Sequence, residues 1–235
     1  MGLPIQTAPK YTTVLPSDGR EVTFRPFLVK EQKILVLARE SEDQRQQLNA
    51  VRDLLTAVTE GECNVDDMYS VDVEWLFLQV RAKSVGEEVR STFTCGENEC
   101  DGTGQSILNL EEITVEGKLP EESTVMITED VGVVLEMAKF KSITDIDSKT
   151  SADENVIEIV KKCILRIFDA NQVFERNDMS QDELDEFVDN LSFQQLEKIG
   201  SFFDDAPRLT VDVQFKCNKC ETVQTKNLQG LQNFF

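Results

Sequence analysis

Cys95-Gly96-Glu97-Asn98-Glu99-Cys100 and Cys217-Asn218-Lys219-Cys220 are the two segments on which the reading of this chain turns. The first is a C-x4-C pair and the second a C-x2-C pair. Each follows an alternating, β-prone run: Val89-Arg90-Ser91-Thr92-Phe93-Thr94 before the first, Leu209-Thr210-Val211-Asp212-Val213-Gln214-Phe215 before the second. Each also leads into another such run, Ser106-Ile107-Leu108-Asn109-Leu110 and Thr222-Val223-Gln224-Thr225. Strand, tight cysteine turn, strand is the pattern of a knuckle at a hairpin tip. Gly96, Asn98 and Asn218 suit the tight backbone that brings N–H groups toward sulfur.

Two facing knuckles supply four thiolates, Cys95, Cys100, Cys217 and Cys220. A tetrahedral sulfur set satisfies Zn2+ and leaves no coordination position open, so the pattern predicts a structural zinc. The competing reading is a set of ordinary thiols or a redox pair. A redox Cys-x-x-Cys opens a helix, whereas Asn218-Lys219 lies between strands. Residues 101–216 separate the pairs, and closing so long a loop costs about 4 kcal/mol by the logarithmic rule. Zinc bound to cysteines in small peptides contributes about 10–16 kcal/mol, so the metal outweighs the loop. The intervening chain then becomes an insertion clamped at its two ends. Of the remaining cysteines, Cys163 falls on an apolar helical face and reads as a core thiol. Cys63 reads as a loop or core thiol, with a fifth sulfur near the site as the alternative.

The chemistry that is missing matters as much. No histidine occurs in the 235 residues. That removes the commonest general base and every Ser-His or Cys-His nucleophile. Gly102-Thr103-Gly104 is too short for a phosphate loop and lacks the lysine. Carboxylate pairs such as Asp66-Asp67 and Asp204-Asp205 suit solvated turns in a chain with 44 acidic and 24 basic residues. The expectation is a protein that is not an enzyme; a metal-independent enzyme using carboxylates ranks last. A net charge of −20 opposes nucleic acid and anionic lipid alike. The knuckles carry Glu97, Glu99, Asp101 and Glu221 against Lys216 and Lys219, which argues against a zinc-ribbon nucleic-acid module. No run approaches the roughly 20 apolar residues of a membrane span. The start, Met1-Gly2-Leu3-Pro4-Ile5-Gln6, has no secretory pattern, and Gln6 fails the myristoylation motif. Assembly in a reducing cytoplasm is expected.

Outward from the cysteines, the fold class reads as α+β. An N-terminal hairpin, Thr12–Leu15 and Val22–Phe24, turns at Pro16-Ser17-Asp18-Gly19. Three helices follow: Val29 to Arg39, a second with Leu48, Val51, Leu55 and Val58 on one face, and a third from Asp72 to Lys83 with Val73, Trp75, Leu76, Phe77, Leu78 and Val80. Ser41 with Gln44 is read as the second helix's capping box. The crowding of large apolar groups on the third predicts burial on more than one side. Strands are expected at Thr124–Thr128 and Val131–Met137. A helical block over 152–204 places Val156, Val160, Cys163 and Ile167 on one face beside Ile157, Ile164 and Phe168. Capping boxes Ser151/Glu154, Ser180/Glu183 and Ser192/Gln195 start its helices. The resulting division is residues 1–86, hairpin plus helices; 87–145, strands with the first knuckle; 146–207, helical insertion; 208–235, closing strands with the second knuckle and a tail. Phe234 and Phe235 at the end suit docking, on a neighbouring chain or on the protein's own core.

Phe24-Arg25-Pro26-Phe27-Leu28-Val29-Lys30-Glu31-Gln32-Lys33 and Phe77-Leu78-Gln79-Val80-Arg81-Ala82-Lys83-Ser84-Val85-Gly86, with the downstream cysteine pair, resemble the T4-type phage baseplate family. The matching segments lie between about residues 13 and 140; the strand around 209–223 is consistent and the acidic helical block is less diagnostic. The family includes the baseplate hub subunit and hub assembly proteins. The resemblance implies a structural or assembly protein of the virion tail baseplate, whose partners are hub or tail proteins, the tape measure protein among the candidates. It implies either incorporation in the baseplate or a chaperone role in hub assembly. Arg25 and Lys30 also have a structural reading, pairing with acidic neighbours. Arg81 and Lys83 have one too, as positive charge near a helix C-terminus.

Overall fold

A computed structural model describes residues 8–41, 43–97, 99–120, 123–145 and 151–229. Phe234, Phe235 and the start of the chain, to which two of the readings above refer, lie outside them. The described chain mixes helix and sheet as an α+β fold, with four small antiparallel sheets and three apolar cores.

The N-terminal hairpin pairs β1 (Tyr11–Val14) with β2 (Glu21–Phe24). Three helices follow, α1 (Val29–Glu40), α2 (Gln44–Val58) and α3 (Ser70–Val85). The start of α2 differs from the capping box read at Ser41 and Gln44. Asp43 is the N-cap, its carboxylate accepting the Arg45 N–H at 2.9 Å, while Ser41 ends α1. A carboxylate is as good an N-cap as a hydroxyl and also faces the positive helix end. The face Val51, Leu55 and Val58 is buried as its spacing requires.

Helix α3 is buried from two sides. Val73, Leu76, Phe77 and Val80 enter a first core with the hairpin and α2. Val71, Leu78 and Ala82, on the opposite side of the helical wheel, enter a second core. The hairpin is fastened to α3 by polar contacts as well. Trp75 Nε1 donates to Thr13 Oγ1 at 3.0 Å, and the Asp72 carboxylate accepts from the Ser17 N–H at 3.0 Å and the Ser17 hydroxyl at 2.5 Å.

The second core is built on the cysteine strands. β3 (Glu88–Thr94) pairs with β4 (Thr103–Asn109) in one hairpin. After β5 (Thr114–Glu116) and a long excursion, β10 (Arg208–Lys216) pairs with β11 (Val223–Gln229) in the other. The first residues of β10 also pair with β5, giving the sheet order β11-β10-β5. Leu228 is buried within β11.

The excursion forms a third core. β6 (Thr124–Met126) and β7 (Gly132–Leu135) precede the short α4 (Phe140–Thr144) and α5 (Ala152–Cys163). Here the sequence reading is corrected. The periodic run Val156, Val160, Cys163 and Ile167 is not one helix: the helix ends at Cys163, and Ile164–Phe168 is strand β8. Two β-branched residues in five favour that outcome, and β7 offers a free edge to pair with. β9 (Val173–Glu175) completes the order β6-β7-β8-β9, so the sheet joins strands on either side of position 146. Helices α6 (Gln181–Asp189) and α7 (Phe193–Gly200) cover it, and the boxes at Ser151, Ser180 and Ser192 are all formed. No helix among the described residues is long and apolar enough to cross a membrane.

Asp72 yields a pH-dependent prediction. Burial raises its pKa above the ordinary aspartate value, against the two Ser17 hydrogen bonds, which lower it. Because the folded value lies above the unfolded one, Asp72 favours the folded state most at low pH, and stability is lost as pH rises through that window. Asp72→Asn, which keeps an acceptor for the Ser17 N–H, is expected to match or exceed the wild-type melting temperature at pH 7 and to lose that advantage near pH 3. Asp72→Ala leaves Ser17 unpaired and costs about 2 kcal/mol near pH 3 and less at pH 7, measured by urea unfolding.

Candidate metal centre

The two hairpin tips meet. The Sγ atoms of Cys95, Cys100, Cys217 and Cys220 all lie within 4.8 Å of one another. The shortest separations cross between the knuckles: 3.6 Å from Cys95 to Cys220 and 3.8 Å from Cys100 to Cys217. Disulfide sulfurs lie about 2.05 Å apart, so these are free thiols. Four sulfurs at about 2.3 Å from a central tetrahedral ion would stand about 3.8 Å from each other. The set has the dimensions such an ion requires.

The Lys219 N–H donates to Cys217 Sγ at 3.4 Å. The N–H groups of Glu97, Gly102 and Thr222, each two positions beyond a cysteine, act to lower the pKa of Cys95, Cys100 and Cys220. Gln224 Nε2 adds a further bond to Cys95 Sγ at 3.1 Å. Donors aimed at sulfur stabilise the thiolate, the form that binds metal. At Cys220 the Thr222 hydroxyl and N–H bring the pKa down to about 6. At Cys100 the Gly102 N–H acts in the same direction, but burial and the three neighbouring sulfurs outweigh it and hold the thiol at about 11. Cys95 is likewise raised, its Glu97 N–H outweighed by burial and the Cys220 and Cys217 sulfurs.

Backbone contacts hold the tips in register. The Asn218 N–H donates to the Thr103 carbonyl at 2.8 Å, and the Thr103 N–H returns to Asn218 Oδ1 at 3.0 Å. Within the first tip the Cys95 N–H donates to the Gly102 carbonyl at 2.8 Å; within the second, the Cys217 N–H donates to the Thr222 carbonyl at 3.0 Å. Gly96 N–H reaches Gln224 Oε1 at 3.0 Å. Beneath them Phe93 and Phe215 stack with centroids 5.4 Å apart. Lys219 pairs with Asp101 at 2.5 Å and Lys216 with Glu221 at 3.3 Å, leaving Glu97 and Glu99 exposed at the tip.

Gly102 and Gly104 allow this approach. A Cβ at Gly102 would stand 2.4 Å from Cys217 Sγ, and one at Gly104 would stand 2.4 Å from the Phe215 ring and 2.5 Å from the Lys216 carbonyl oxygen. The Gly-Thr-Gly run, dismissed above as a phosphate loop, is thus the edge on which the second hairpin rests. Thr103 and Gln224 were not singled out from sequence either, and Asn218 was read only for its tight turn, not for its contact with Thr103.

The four predicted ligands are therefore brought together, and the other two cysteines are not. Cys63 lies in the first core and is 4% exposed, so the alternative of a fifth sulfur is not met. Cys163 is 1% exposed, and burial pushes its thiol up to about 12.

Gly104→Ala is expected to destabilise the protein by about 2 kcal/mol, because the clash is with backbone that cannot swing aside. Calorimetry should show a melting temperature roughly 4–8 °C lower.

No curated protein and no solved structure matches the chain significantly. The sequence profile of one family, described as the T4 bacteriophage base plate protein, matches residues 8–235. That span takes in the hairpin, the α1 and α3 segments, both knuckles and the excursion between them, and the chain belongs to the T4 bacteriophage base plate protein family.

Proposed function

We propose that the chain is a structural component of the baseplate hub, acts by binding neighbouring tail proteins, and holds one structural zinc ion on Cys95, Cys100, Cys217 and Cys220. The observation that carries the zinc reading is the convergence of four sulfurs within 4.8 Å, with N–H donors on Cys217 and Cys95. Thiolate donors select a soft or borderline ion, and four of them leave no position for water or substrate. The ion's role is mechanical. It clamps the two hairpins, read as the halves of a zinc ribbon, and so closes the unit between them.

The baseplate reading is supported by family membership over nearly the whole chain. The hub assignment rests on the likeness of residues 24–33 and 77–86 to hub proteins of that family. A second reading is an assembly chaperone of the hub that leaves the finished tail. A nucleic-acid role is disfavoured by the knuckle charges, where both lysines are engaged by carboxylates and two further glutamates are exposed.

Native protein should contain one zinc per chain. Cys95→Ser or Cys220→Ser should abolish it, whereas Cys63→Ser and Cys163→Ser should retain it. Chelation should remove at least about 5 kcal/mol of stability, lowering the melting temperature by roughly 10–20 °C. Metal-free wild type that melts alike with and without chelator would end the zinc reading.

Mass spectrometry of purified tails should find the chain at a fixed stoichiometry. Absence from tails, together with loss of hub assembly on deletion, would establish the chaperone reading instead.

A further inference from the structure

Arg81 stands apart from the other basic residues read from the sequence. Arg25 pairs with Glu31 at 2.9 Å, Lys30 with Glu31 at 3.7 Å, and Lys83 with Glu87 at 2.9 Å. Arg81 Nη1 is buried and has no hydrogen-bond partner among the described residues. Burial also draws the pKa of this guanidinium down from the ordinary arginine value. A buried guanidinium nitrogen without an acceptor is unfavourable, and buried polar groups are nearly always paired. In a chain with 44 acidic residues the lack of a carboxylate here is notable.

Arg81 lines a groove of about 190 Å³ between α1 and the C-terminal half of α3, walled by Phe27, Leu35, Val36, Phe77 and Val85, with Gln32 the other polar residue in its lining. The volume is below the ~300–1,000 Å³ of sites for cofactors and drug-sized molecules and suits one or two side chains. Its wall is anchored, since the Phe27 N–H donates to Ser84 Oγ at 3.0 Å and Ser84 in turn donates to the Val80 carbonyl. The apolar surface continues past the rim. Val36 is 40% exposed, Val85 61%, and Val29 68%. Val29 and Val36 are seven residues apart on α1 and so share one side of it, giving a strip two turns long.

We propose that this groove docks a segment of another protein that presents an Asp or Glu carboxylate between apolar side chains, the carboxylate seating on Arg81. The planar guanidinium offers the two-pronged geometry a carboxylate accepts. Apolar walls around one charged anchor are the make-up of an interface centre. A nucleic-acid backbone fits poorly, because its successive phosphates would face apolar walls and a net charge of −20. The naming of the partner as a tail protein rests on the protein-binding reading above; the carboxylate preference of the groove does not.

The test has two arms. In the first, 4-phenylbutanoate and its neutral amide are titrated by NMR against wild type, Arg81→Met and Val36→Asp. Wild type should bind the acid at least tenfold more tightly than the amide. Arg81→Met should bind the two alike while melting no lower than wild type, and Val36→Asp should bind the acid at least tenfold more weakly. Equal binding of acid and amide by wild type, or a preference retained in both variants, overturns the proposal. In the second arm, phage tails are assembled with wild-type or Arg81→Met chain. Tenfold lower incorporation of the folded variant supports docking to a tail protein, and equal incorporation overturns it. Absence of wild type itself from tails would instead fail the baseplate-component reading while leaving the first arm intact. Sedimentation identifies the remaining occupant: an Arg81-dependent homodimer would overturn the foreign partner in favour of a second copy of this chain.

Discussion

The close crossing of the two cysteine hairpins is the constraint on which the rest of the molecule depends. It can occur only where no side chain intervenes, and Gly102 and Gly104 clear that path for Cys217, Phe215 and the backbone of Lys216. Once the tips are in register through Thr103 and Asn218, four sulfurs lie within metal-binding reach without further adjustment. The order of cause therefore runs from backbone clearance to sulfur geometry. Hydrogen bonds between Thr103 and Asn218 and the stacking of Phe93 on Phe215 hold that junction with protein groups alone.

Two consequences follow for the architecture. The excursion from β6 to α7 leaves from one hairpin and returns into the other, so it is anchored at both ends by the same junction. It can carry its own core and a strongly acidic surface without disturbing the rest. The hairpins themselves are not free-standing, because their shared apolar face rests on Val71, Leu78 and Ala82 of α3. The opposite side of α3 holds the N-terminal hairpin. One helix thus links the N-terminal hairpin with the cysteine junction. That arrangement suits a protein that must present fixed surfaces to neighbours in a large assembly.

Much of this was legible in the sequence, and the failures have specific causes. Strands with a strict two-residue alternation, such as 89–94 and 209–215, were found because one face of each is buried and the other solvated. Capping boxes at Ser151, Ser180 and Ser192 were found because capping is local chemistry. Ser41 failed because Asp43, two residues on, competes for the same free N–H groups. Ile164–Phe168 failed because a short apolar run satisfies the helical and the strand period equally. Only the open edge of β7 decides between them. Arg81 was read as positive charge near a helix C-terminus, because local spacing cannot tell which neighbour lies over a side chain.

The sequence by itself marked out the four cysteines that the structure brings together, since a pair of cysteines in a strand–turn–strand frame has few chemical uses and no histidine competes. It also determined the acidic character and the double-sided burial of α3, because charge count and apolar crowding are sums over residues and need no coordinates. What only the tertiary structure decided was how distant segments meet. The glycine edge beneath Cys217, the fourth sheet that runs through an expected helical block, and the unpaired Arg81 in its apolar groove all depend on contacts between residues far apart in the chain, and such contacts leave no periodicity to read.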